Sequence, residues 1–351
     1  MSARRGVDDP TDSPADGAEP SSPQVPNAVR WTLGAAAIAA VVVIAGRRGE
    51  ASEFARLLRH MRPAWAMAAA VLQAATYACD ASIWRSVLAR AGTPQPFRRI
   101  FRLSICRVFV SQAVPSGGVS GDLVVVRALE RYGVPLDASM TALVINLFGF
   151  YAAFAVCAVV GAVAFYAHRA VSGPILAVVL PFALALVAIP TFILWLIRSG
   201  RASHRTGRSR IPGLGRLLDA FGRTRVDLLR ERGLLGRSVV LQVATFLLDA
   251  GTLKVMLATV GCAAPIAGVF AAFILASAAE LVGPVPGGLG AFEGGCIIGL
   301  RAFGVPIEAA LVATVLLRGF TFWLPMIPGF FIARWAVTPA IRRGRESAPK
   351  R

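Results

Sequence analysis

Charge is scarce in this sequence, and what there is leans to one sign. Only 16% of the 351 residues are charged, 56% are hydrophobic, and the mean hydropathy is +0.64. A soluble domain of this size has no way to hide that much apolar surface. Lysine is nearly missing, found only at Lys254 and Lys350, so the net charge of +18 is almost wholly arginine. The three histidines (His60, His168, His204) and five cysteines (Cys79, Cys106, Cys157, Cys262, Cys296) are scattered without paired spacing. That pattern offers neither a disulfide framework nor a metal site, and no cofactor is expected. Short alternating segments are also missing, which argues against a β-barrel. The glycines lack the spacing of a nucleotide-binding turn. The arginines collect between apolar runs instead of forming a patch, so no nucleic-acid partner is expected.

Long apolar runs are present instead. Val29–Gly46, Pro63–Trp84, Ala138–Ala167, Pro174–Ile197 and Ser238–Val260 each approach or exceed the roughly 18 to 20 residues that span a bilayer. The sequence therefore predicts an all-α polytopic membrane protein. Residues 1–28, rich in Pro, Ser, Asp and Gly, read as a disordered tail and not as a signal peptide, because acids precede the apolar run. The Asp8-Asp9-Pro10-Thr11-Asp12 run in that tail resembles a magnesium-binding aspartate motif, but it lacks the rigid helix such a motif needs. The membrane domain is placed at 29–340, with a basic C-terminal tail at 341–351.

The chain contains a duplication. "VLQAATYACDASIWRSVLARAG" from Val71 aligns without a gap with "VLQVATFLLDAGTLKVMLATVG" from Val240, matching Gln73 with Gln242, Asp80 with Asp249 and Arg85 with Lys254. Further on, Pro115, Gly117, Asp122 and Gly133-Val134-Pro135 fall on Pro286, Gly288, Glu293 and Gly304-Val305-Pro306. Residues about 70–156 are thus repeated as about 239–327. An odd number of crossings separates the copies, so the second is expected upside down relative to the first, as in many transporters. The connection 198–237 holds eleven arginines and the segment from Arg334 onward five, which assigns that side to the cytoplasm of a multi-pass plasma-membrane protein with both termini inside. The arginines of 47–62 run against this assignment, and that segment reads as an amphipathic helix on the membrane. The 198–237 connection reads as a basic amphipathic segment against anionic inner-leaflet lipids.

Each copy interrupts its own apolar course. "VPSGGVSGD" places Pro115, Gly117 and Gly118 before Asp122; "GPVPGGLGAFE" places Pro284, Pro286, Gly287, Gly288 and Gly290 before Glu293. Such breaks free backbone N–H and C=O groups, which must be satisfied by protein or line a wet cavity. Whether the broken segments are re-entrant or fully spanning stays open. A carboxylate after each break suits a helix N-terminus, yet it costs around 3 kcal/mol at membrane depth. Arg318 lies in an apolar stretch and needs a carboxylate such as Glu293 or Glu280. Together with Arg127 it is read as a head-group ligand, because guanidinium grips phosphate with a planar fork. Asp122, Arg127, Glu293, Arg318 and Glu280 are the expected translocation-path residues; Asp80 with Arg85, and Asp249 with Lys254, are read as structural pairs.

"AVPSGGVSGDLVVVRALERYGVP" with "PVPGGLGAFEGGCIIGLRAFGVPIEAALVATVLLRGFTFWLP" resembles the lysylphosphatidylglycerol synthase/flippase membrane-domain family over about residues 30–340. Asp122 stands where the pattern has Glu. The resemblance implies a membrane domain that moves aminoacylated or otherwise modified phospholipids between leaflets. In the full-length synthases a soluble aminoacyl-transfer domain follows; this sequence ends at Arg351 and is expected to lack that chemistry. The resulting expectation is a lipid translocase or flippase that is not an enzyme. Two alternatives stay open: a membrane-embedded transferase using a lipid-linked donor, and a scaffold for a separate lipid-modifying enzyme.

Overall fold

The structure is a computed structural model that describes residues 61–113, 119–168, 224–282 and 290–337, with single positions elsewhere such as Gly288. The tail 1–28, the runs Val29–Gly46 and Pro174–Ile197, and most of 47–62 and 198–237 lie outside the described residues. So do Pro115, Gly117, Gly118, Pro284, Pro286 and Gly287.

Among the described residues the fold is helical, and one series of helices occurs twice. The first is α1 (Pro63–Arg90), α2 (Phe97–Ala113), α3 (Val119–Arg131) and α4 (Leu136–Ala167). The second is α5 (Arg232–Thr259), α6 (Ile266–Val282), α7 (Ala291–Ala302) and α8 (Ile307–Arg318), which continues through a wide π turn (Gly319–Trp323) into α9 (Leu324–Val337). The boundaries repeat with the same offsets as the sequence. Equivalent glycines end equivalent helices: Gly92 and Gly261, then Gly133 and Gly304, all at positive φ. At each, the residue after the glycine donates back five residues, as in Thr93 N to Leu88 O (2.9 Å) and Cys262 N to Leu257 O (3.0 Å). A proline then precedes the next helix at Pro96, Pro135, Pro265 and Pro306, where its fixed φ starts a helix and no donor is lost.

Among the described residues three helices are long and apolar enough to cross a membrane: Leu136–Ala167, Arg232–Thr259 and Ile307–Ile332; α6 is apolar but shorter. The Pro63–Trp84 run lies in α1, which has 28 residues and so the length to cross, but Gln73, Thr76 and Asp80 make one of its faces polar and buried. Outward, Met67, Val71, Val159, Val163, Val240 and Ile327 are exposed. A helical body with large apolar residues outside and charge inside is built for lipid, not water.

The equivalent helices α1 and α5 pack extensively against each other. They run in opposite directions. Gln73 bonds Asp249 and Thr252 near the middle of the pair, and Arg90 forms an ion pair with Glu231 where α1 ends and α5 begins. Two apolar cores flank this pair, one centred on α2–α4 around Trp84, Leu103 and Leu143, the other on α5–α8 around Phe154, Leu253 and Leu317.

Candidate functional site

The acid that follows each break meets an arginine within the helical body, Arg107 half-buried and Arg318 buried. In the first half Asp122, in the first turn of α3, is almost completely buried, with its side chain 2% exposed. Arg107 of α2 reaches across the break, its Nη1 3.5 Å from Asp122 Oδ1 and its Nη2 3.0 Å from Asp80 Oδ1 on α1. Asn146 of α4 donates to Asp122 Oδ1 at 3.3 Å, and Gln242 of α5 donates to Asn146 Oδ1 at 3.0 Å. Gly121 lets the turn close: a Cβ there would collide with the Ser111 side chain and the Arg107 backbone.

In the second half Arg318, only 4% exposed, is the hub. Its Nε donates to Glu293 Oε1 at 2.8 Å, Nη1 lies 3.5 Å from Glu280 Oε1, and Nη2 reaches Gly288 O at 3.5 Å. The guanidinium carbon sits 4.1 Å from the Phe292 ring centroid and 5.9 Å from that of Phe322. Glu293 also accepts from Gly290 N (2.7 Å), so one carboxylate caps α7 and holds the arginine at once. Gly288 and Gly290 have φ of +61° and +79°, a backbone region that favours glycine. A Cβ on Gly288 would also press into Glu280, 3.1 Å from its Cα. These two are the break glycines within the described residues, and both are required by geometry. The π turn follows Arg318 directly and brings Phe322 back towards it.

Between the two halves lies a third polar group. Gln73, 3% exposed, donates to Asp249 Oδ1 at 2.9 Å and to Thr252 Oγ1 at 3.1 Å. Gln242, Asn146, Asp122, Arg107 and Asp80 therefore form one chain of contacts, Gln73, Asp249 and Thr252 a second group, and Glu280, Arg318 and Glu293 a third.

Arg127 is exposed, and the arginine at Asp122 is Arg107, which precedes the break. Two expected pairs are corrected here. Asp80 pairs with Arg107 and not with Arg85, which is exposed. Asp249 accepts from Gln73, while Lys254 Nζ donates to Ala264 O at 2.5 Å. The last two have one cause: five residues along a helix turn about 500°, so the side chains point some 140° apart. The signal for Arg107 was an arginine midway along α2 with no acid within four residues on its own helix.

Residues 31–329 match the family described as the lysylphosphatidylglycerol synthase TM region. That stretch contains every residue of the three polar groups. A UPF0104 membrane protein of Methanothermobacter thermautotrophicus is 23% identical over 313 residues, covering 85% of this chain and 91% of that protein. A phosphatidylglycerol lysyltransferase of Staphylococcus haemolyticus is 34% identical over 71 residues, 20% of this chain. The match spans only 8% of that transferase's length.

Proposed function

This chain belongs to the lysylphosphatidylglycerol synthase TM region family, and from that membership we propose that it is a translocase carrying a phospholipid, or an aminoacylated or otherwise modified phospholipid, between leaflets. One observation carries the reading: the acid after each break shares an arginine with a second carboxylate, half-buried Arg107 with Asp80 and Asp122, buried Arg318 with Glu280 and Glu293. Charge at such depth is expensive, and structural packing alone would be served as well by apolar residues of similar volume. An arginine that can exchange carboxylate for phosphate gives the charge a use, since both present the same pair of oxygens to its fork. The carboxylates left behind would receive a cationic group on the same lipid. No reaction is assigned to the site; the chain works by binding and release, with no cofactor. A separate lipid-modifying enzyme is a fitting partner, because the membrane region alone holds no acyl-transfer machinery in this reading.

The antiparallel α1 and α5 support an inverted repeat with two related gates around one path. In that arrangement the ends bearing Arg85, Arg90, Arg98, Arg102 and Arg131 face the cytoplasm and its anionic leaflet. Pro94 and Ala263 occupy equivalent loops, α1–α2 and α5–α6, and both are exposed. With the native cysteines replaced, Pro94→Cys should react with an impermeant thiol reagent only from the cytoplasmic side, and Ala263→Cys only from outside. Labelling of both from one side would remove the inversion.

Function itself is tested with purified protein in liposomes. The translocase reading expects exchange of a fluorescent phospholipid well above protein-free vesicles. A new lipid product without exchange would point to the transferase alternative, and neither result to the scaffold.

A further inference from the structure

The α1–α5 contact holds two copies of one device, and only one is closed. Gln73 lies across from Asp249, and Leu72 Cδ1 is 3.8 Å from where a Cβ on Gly251 would be. The same antiparallel register, anchored at the far end by Arg90 and Glu231, sets Gln242 across from Asp80. The second pair is the first carried through the duplication, since Gln73 corresponds to Gln242 and Asp80 to Asp249. Yet Gln73 bonds Asp249 whereas Gln242, 4% exposed, turns to Asn146. Asp80 takes no amide; its partner is Arg107, whose Nη2 lies 3.0 Å from Oδ1.

We propose that Gln73–Asp249 and Gln242–Asp80 are alternative latches of two states of this protein, and that the present structure holds the first closed and the second open. The idea rests on the translocase reading, because a path with two related gates needs two states that exchange their asymmetry. Glutamine suits the task. Its amide is neutral, so it can leave a carboxylate without stranding a charge of its own, and one such bond contributes modestly. An arginine in its place would cost several times more to release. Asn146 holds Gln242 in the meantime, so the amide's donor is satisfied in both states. Leu317 stands at the position equivalent to Asn146 under the second offset, so the parking place exists on one side only. That asymmetry lets the two states differ in energy. Gln73 and Gln242 are accordingly positioning residues, acting on lipid only through the two aspartates.

The test reads state and not transport. Ser120 and Ala291 are equivalent, half-buried positions in the first turns of α3 and α7. In the cysteine-replaced protein in liposomes, Ser120→Cys and Ala291→Cys are labelled separately with a thiol reagent, and the ratio of their rates is the readout. Gln73→Met opens the closed latch, losing the bonds to Asp249 and Thr252, and should shift that ratio by at least about fivefold, the value of one hydrogen bond. Gln242→Met gives up a neutral bond to Asn146 in this state and a stronger, charge-assisted bond to Asp80 in the other, so it should shift the ratio in the opposite direction by a smaller factor, and the double variant should return towards the starting ratio. Asn146→Leu releases Gln242 to Asp80, so it should move the ratio the same way as Gln73→Met; it also supplies an answer if a glutamine variant fails to fold. Shifts in one direction for both glutamine variants, or a ratio that stays within a factor of two in all of them, overturn the proposal. Lipid exchange measured on the same vesicles separates the two ideas. Opposite shifts without lipid exchange would keep the latches and remove the translocase, and the reverse result would do the opposite.

Discussion

Replacing Arg318 with Gln destabilises the detergent-solubilised protein by about 3–5 kcal/mol, and Glu293→Gln does so by a smaller amount within the same class. The order follows from the contacts. Arg318 serves Glu293 at 2.8 Å, Glu280 at 3.5 Å and the carbonyl of Gly288, so its loss leaves two carboxylates facing each other without a cation. It also removes the cation from above the Phe292 ring. Losing Glu293 leaves Arg318 with Glu280 and with both aromatic rings, but it deprives Gly290 N of its acceptor and α7 of the charge at its N-terminus. Because the two side chains touch, the double variant should cost less than the sum of the singles. Equilibrium unfolding in detergent of the wild type, both singles and the double measures this cycle. Strict additivity would mean that the contact contributes no coupling and that Arg318 is free for lipid.

The parts of this arrangement legible in sequence are those fixed by local chemistry. Gly92, Gly133, Gly261 and Gly304 announce helix ends because a left-handed residue is needed there, and the prolines after them announce starts. The repeat could be read because the same end signals recur in both copies. Arg318 could be assigned to Glu293 or Glu280 since an arginine in an apolar run must find a carboxylate, and it lies between both. Asp122 offered no such guide. Its arginine comes from the helix before the break, so the pair forms only once α2 and α3 fold back on each other, and Arg127, nearer in sequence, ends on the outer face. Asp80 and Asp249 misled for a related reason. Their nearest cations lie five residues along the same helix, whereas their actual partners, Arg107 and Gln73, come from neighbouring helices. Spacing along one helix says which side chains can share a face; register between two helices decides which ones meet.

Asp122→Ala, Glu293→Ala and Arg107→Ala should each slow leaflet exchange of a fluorescent phospholipid by at least about tenfold, a change of roughly 1.4 kcal/mol in the barrier, in protein that still inserts. The two acids follow the two breaks, and each holds the arginine that would meet phosphate. Without Asp122, Arg107 keeps Asp80 alone and swings towards α1, away from the break. Without Glu293, α7 loses its cap and Arg318 falls to Glu280. Arg107→Ala removes the cation itself and leaves Asp80 and Asp122 to repel an approaching phosphate, so it should be the most damaging of the three. Arg127→Ala is the control that gives the comparison its meaning. It deletes an arginine of the same helix as Asp122, but an exposed one, and should leave exchange within about twofold of wild type, since a surface charge touches neither break. Equal losses for Arg127 and Arg107 would mean that surface attraction to anionic lipid governs the rate. Wild-type exchange in both acid variants, across several head groups, would reduce Arg107 and Arg318 to ion-pair struts and the breaks to packing.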